Sequence, residues 1–146
     1  MKSRKKANKQ QGFTLLEVMV VLVIIGLLGA IVAPNVLGNK EKADRQKTVT
    51  DITTLESALN MYKLDNSRYP TTEQGLEALI EKPSISPEPR NYTEGGYIMR
   101  LPQDPWGGDY YLVSPGENGV IDIFSAGPDM EVGTEDDIGN WNLQDN

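Results

Sequence analysis

Asp129, Glu131, Glu135, Asp136 and Asp137 place five carboxylates within nine residues, beside Gly127, Pro128 and Gly133. Calcium takes about six to eight oxygen ligands, and a bent loop can supply carboxylates together with main-chain carbonyls. The EF-hand spacing is missing, so on spacing alone the segment reads either as a cation loop or as a solvated acidic surface. Acid-catalysed hydrolysis between paired carboxylates such as Asp136 and Asp137 is disfavoured, because adjacent loop residues seldom oppose each other across a substrate bond. Histidine is absent from the chain. That removes the usual general base, the Ser-His type of triad and the commonest zinc ligand.

A second arrangement with chemical consequences is Gly12-Phe13-Thr14-Leu15-Leu16-Glu17. It separates a leader at residues 1–12, basic through Lys2, Arg4, Lys5, Lys6 and Lys9, from a long apolar run at residues 13–38 that contains Glu17. The leader has no apolar core, so it is not an ordinary secretory signal, and it favours a cytoplasmic N-terminus. The run exceeds the roughly 20 residues that span a bilayer as a helix. An ionised Glu17 inside it costs a few kcal/mol, on the order of the insertion scales, unless it is paired or reaches the headgroups. Cleavage after Gly12 would supply a partner: the new Phe13 amine would lie about one helical turn from Glu17, within the chain or on a neighbouring subunit.

These residues need positioning by ordinary elements. Pro34 cannot donate its backbone hydrogen bond, and with Gly26 and Gly29 nearby it predicts local melting or kinking between Gly26 and Pro34. Val49, Ile52, Leu55, Leu59 and Tyr62 recur at spacings of three and four, with Lys47, Asp51, Glu56 and Lys63 between them, which predicts an amphipathic continuation of the helix. Thr71 or Thr72 can cap a short helix reaching Leu79, with Gln74 completing a capping box for Thr71. Pro83, Pro87 and Pro89 impose an irregular loop, and Trp106 offers apolar surface to pin the segment around Pro102 and Pro105 to a core. Residues 109–113 and 120–124 favour β-structure and are separated by turn formers at 114–119, which predicts an antiparallel hairpin. Packed on the amphipathic helix, that hairpin gives an α+β architecture with a helical stalk.

Composition narrows the function classes. Residues 39–146 suffice for one modest domain. Without the leader the chain retains 9 basic and 21 acidic side chains, net -12, which argues against nucleic-acid binding. No cysteine is present, so disulfides cannot staple the domain, which invites a search for a metal.

Gly12, the Phe13-Thr14-Leu15-Leu16-Glu17 sequence and the apolar run after it resemble the type IV prepilin signal, shared by type IV pilins and the pseudopilins of type II secretion. Residues 69–76 (YPTTEQGL) and 101–107 (LPQDPWG) resemble stretches of the major, G-type pseudopilins, and the similarity covers essentially the whole chain. The resemblance implies that a prepilin peptidase cuts between Gly12 and Phe13, that the Phe13 amine is N-methylated, and that Glu17 guides assembly by pairing with a neighbour's amine. It also implies a structural calcium ion held by the side chains of Asp129, Asp136 and Asp137, with carbonyls of Ala126, Val132 or Thr134 contributing, while Glu131 and Glu135 face solvent.

The function implied is a non-enzymatic subunit. It waits in the inner membrane, in contact with lipid, then polymerises into a periplasmic pseudopilus with minor pseudopilins. An inner-membrane assembly platform and its ATPase drive the process, which exports folded proteins across the outer membrane. The alternative is a pilin of a surface filament for adhesion or motility. Many such pilins are longer and carry a C-terminal disulfide loop, and this chain has neither feature.

Overall fold

The structure, a computed structural model, describes residues 12–144; side chains at 32–37 and the expected leader up to residue 11 lie outside the described residues. The element order is helix α1 (Leu15–Asn66), a 3-10 turn (Leu76–Leu79), then strands β1 (Tyr111–Val113), β2 (Asp122–Ser125) and β3 (Ile138–Gly139). The chain divides between Lys40 and Glu41 into two units.

In the first unit, α1 runs through Gly26, Gly29 and Pro34 without interruption. The melted turn expected there is absent. A proline inside a helix costs about 3 kcal/mol, a local penalty that the hydrogen bonds on either side can carry. Phe13, Leu15, Leu22 and Ile31 are 90%, 81%, 63% and 66% exposed. The span expected over residues 13–38 runs past Ile31 into side chains outside the description. Among the described residues, no helix is long and apolar enough to cross a membrane.

In the second unit the same helix becomes amphipathic. Ile52, Leu55, Leu59 and Tyr62 are completely buried, as their spacing predicts. Val49 is only half-buried, and Thr48 is fully buried on that face instead. Thr48 can be buried there because its hydroxyl donates to the Asp44 carbonyl at 3.0 Å, one turn back. Against this face pack Leu76, Leu79, Leu112, Ile121, Ile123 and Ile138. Each such aliphatic side chain removed from water contributes about 1.5–3 kcal/mol.

The expected hairpin is present, with Tyr111 opposite Phe124 and Val113 opposite Asp122. A third strand, β3, extends it on the other side of β2, with Ser125 opposite Ile138, to give an antiparallel sheet in the order β1-β2-β3. The hairpin turn is organised by Asp122, whose carboxylate accepts from the backbone N–H groups of Glu117, Asn118 and Gly119 at 2.7, 2.9 and 3.1 Å. Leu112 and Ile123 face the core. On the other face, Tyr111 stacks on Phe124 at 5.3 Å between ring centroids, and Trp141 lies 5.7 Å from Phe124.

The capping box between Thr71 and Gln74 forms as expected: the Thr71 N–H donates to Gln74 Oε1 at 3.0 Å, and the Gln74 N–H to Thr71 Oγ1 at 3.2 Å. The segment after it is not an α-helix. Gly75 takes φ +63°, which interrupts the turn and leaves only the 3-10 stretch beyond. Trp106 packs against the core, pinning its loop.

Candidate functional site

Two regions carry the residues singled out for chemistry. At the start of α1, the Thr14 N–H donates to Glu17 Oε2 at 2.8 Å, the Thr14 hydroxyl donates to the same oxygen at 3.2 Å, and the Glu17 N–H donates to Thr14 Oγ1 at 3.3 Å. This reciprocal pattern is a capping box, which satisfies backbone donors that a helix start leaves open. Glu17 thus carries its negative charge at the positive end of the helix dipole. Phe13, Val18, Val21 and Leu22 line a shallow apolar groove beside it. The capping role of Thr14 is visible only in the structure. Its signal in the sequence is the Thr-x-x-Glu spacing at the start of the apolar run.

The acidic segment, residues 126–137, leaves the sheet at Ser125 and returns at Ile138, which pair with each other. Inside it the Glu131 N–H donates to Asp129 Oδ1 at 2.9 Å, and the Gly133 N–H donates to Asp137 Oδ2 at 2.8 Å. The Thr134 carbonyl accepts from the Asp137 N–H at 3.4 Å. Glu131 and Glu135 are exposed, as expected; so are Asp129, Asp136 and Val132, while Ala126 is buried and Thr134 half-buried. Gly127 sits at φ +69°, and a Cβ there would run into the Asp136 carbonyl oxygen, so the two ends of the segment touch only because residue 127 is glycine.

Among the described residues, no three carboxylates are grouped so as to hold a metal ion. The three side chains expected to act together are therefore not assembled as a trio. Two observations nevertheless fit a cation. Asp137 Oδ1 is buried with no hydrogen-bond partner, an arrangement that costs free energy unless a donor, a water or an ion meets it. The donors on offer are all oxygens, carboxylate and carbonyl, which is the set that calcium prefers.

Away from the loop, Tyr110 donates its hydroxyl to Asp51 Oδ2 at 2.8 Å, and Lys47 bonds both Asp51 and the Gln103 carbonyl. Burial first, and then the Asp51 carboxylate, push the Tyr110 phenol well above the usual tyrosine range. These groups fasten α1 to the segment before β1. They form no reactive constellation.

The family model described as Type II secretion system (T2SS), protein G, matches residues 35–141, which covers most of the chain. The chain belongs to the type II secretion system protein G family. A second model, the prokaryotic N-terminal methylation motif, matches residues 7–33 and so spans the Gly12-Phe13 junction and Glu17. This protein G family member is 69% identical over 138 residues to the type II secretion system core protein G of Aeromonas hydrophila, covering 94% of this chain and 96% of that one. It is 67% identical over 144 residues to the core protein G of Vibrio cholerae, covering 97% and 98%. A crystal structure of the major pseudopilin from the type 2 secretion system of enterohaemorrhagic Escherichia coli matches with a TM-score of 0.71 and 67% identity, over 73% of this chain and 90% of that one. The long helix with its small antiparallel sheet is thus a pilin-like fold.

Proposed function

We propose that this protein G family member is a structural subunit that polymerises into the periplasmic pseudopilus of a type II secretion system, and that the filament helps to export folded proteins across the outer membrane. The observation that carries this reading is the joint match of the protein G model to residues 35–141 and of the methylation motif to residues 7–33. The first matches the folded domain and the second the start of the assembly helix. Relatives named as core protein G across nearly the full length favour this reading over a surface pilin.

The processing steps follow from the junction. A prepilin peptidase cuts between Gly12 and Phe13, the new Phe13 amine is methylated, and Glu17 pairs with the amine of a neighbouring copy. Before assembly the apolar run at residues 13–38 rests in the inner membrane as a single span, with residues 39–146 in the periplasm. Leaving lipid for water would cost on the order of tens of kcal/mol by area, so extraction must be coupled to burial against other copies. Minor pseudopilins and an inner-membrane platform are the remaining partners of this reading. No catalytic role is assigned to the chain.

The acidic segment binds calcium in this reading. Asp137 is the anchor, Asp129 and Asp136 the further carboxylates, and carbonyls of Ala126, Val132 or Thr134 complete the set. A bound ion would neutralise carboxylate repulsion and close the loop in place of a disulfide. The buried, unpartnered Asp137 Oδ1 supports this assignment.

Deleting the gene tests the function. The expected result is folded exoproteins trapped in the periplasm and released again when the chain is supplied from a plasmid. Loss of attachment or twitching with secretion intact would assign the chain to a surface filament instead.

A further inference from the structure

The segment at 101–107 contains a buried carboxylate that the proposed function does not use. Asp104 is 6% exposed. Its Oδ1 accepts from the N–H groups of Trp106 and Gly108 at 3.1 and 2.6 Å, and its Oδ2 accepts from the Ser125 hydroxyl at 2.7 Å. A buried carboxylate is costly unless donors surround it, and here three do. Two of them shape its own turn. The third, Ser125, is fully buried and is the last residue of β2, where the acidic segment begins.

Ser125 carries the contact onward. Its Oγ accepts from the Gly127 N–H at 3.1 Å, and Gly127 is the residue on which the Asp136 carbonyl packs. Ser125 also pairs with Ile138, immediately after Asp137. One hydroxyl, oriented by one carboxylate, therefore ties the turn at 104–108 to the first residues of the acidic segment, while the backbone of the same residue pairs with β3 where the segment ends. On its other side, the Gln103 carbonyl accepts from Lys47 Nζ at 2.6 Å, which ties the same turn to α1.

We propose that Asp104, acting through Ser125, is a positioning residue that holds the base of the 126–137 loop in the shape that binds a divalent cation. This rests on the calcium reading of that loop. Groups that orient metal ligands without touching the ion typically cost about 10–100-fold in metal affinity when removed. A group serving only the fold would lower stability and leave the affinity unchanged.

The test is a calorimetric calcium titration of the full-length chain in detergent, with parallel melts in chelator, for the unaltered protein, Asp104→Asn, Ser125→Ala and the double variant. Each single change is expected to weaken calcium binding by about 10-fold or more. The double variant should be little weaker than the worse single, because both act along one path. Unchanged calcium affinity with a lowered melting point in chelator would overturn the proposal and leave the calcium reading standing. Absence of calcium binding by the unaltered chain would overturn both. Should Asp104→Asn fail to fold, Ser125→Ala alone decides, since it removes the hydroxyl and retains the carboxylate.

Discussion

Helix α1 serves two regions with opposite solutions to the same problem. Across residues 15–31 it is apolar on every side apart from Glu17 and its large side chains stand exposed, whereas across residues 48–62 it is mixed in composition and buries Thr48, Ile52, Leu55, Leu59 and Tyr62 completely. Burial within the chain therefore follows the spacing of apolar residues and not their abundance. A helix with one apolar stripe finds its partner in its own sheet. One that is apolar all round finds no such partner among the described residues, and the function proposed above assigns lipid and then other copies to cover it.

Glu17 provides the sharpest way to break that contrast. Glu17→Leu makes the first region uniformly apolar, so it should still enter the membrane fraction, but near-complete loss of secretion is expected. Normal secretion by this variant would remove Glu17 from assembly. Leu59→Ala and Leu22→Ala probe the same difference energetically. The first should cost about 2–5 kcal/mol in the stability of the domain. The second, at an exposed position, should stay within about 0.5 kcal/mol. Comparable losses in the two melts would mean that the regions are not energetically distinct.

Much of the second region was legible because its elements obey simple periods. Ile52, Leu55, Leu59 and Tyr62 announced the buried face, and the turn formers at 114–119 announced the hairpin. β3 was not legible, since Ile138–Gly139 is too short to show alternation and exists only because β2 offers an edge. The exchange of Val49 for Thr48 in the core was hidden too, because a threonine enters an apolar face only when its hydroxyl finds a carbonyl. In the acidic segment the residue types were visible from the start. The orphaned oxygen of Asp137 and the contact between Gly127 and Asp136 depend on how the loop folds back, which spacing does not encode.

Two further effects bear on the acidic segment and on the helix start. With calcium at about 100 times its dissociation constant, the domain should gain about 2.7 kcal/mol over the chelated form. Asp136→Ala should lose most of that gain, loosen the loop and impair assembly. An equal calcium shift in the variant melt would take Asp136 out of the ligand set. Thr14→Ala removes one side of the capping box at the helix start and should cost about 1 kcal/mol of local helix stability, with Thr14→Ser restoring it. Amide exchange over the first turn would read this directly, and identical protection in all three proteins would dismiss the box as a contributor.

In the proposed filament, copies of the chain cover the apolar half of α1 for one another. The absence of cysteine allows a clean test. Cysteine pairs placed along residues 18–31 of the full chain, in cells actively secreting through the system, should give ladders of covalent oligomers on mild oxidation, and the ladders should vanish with Glu17→Leu. Chains that stay monomeric at every pair tested while secretion continues would contradict the account.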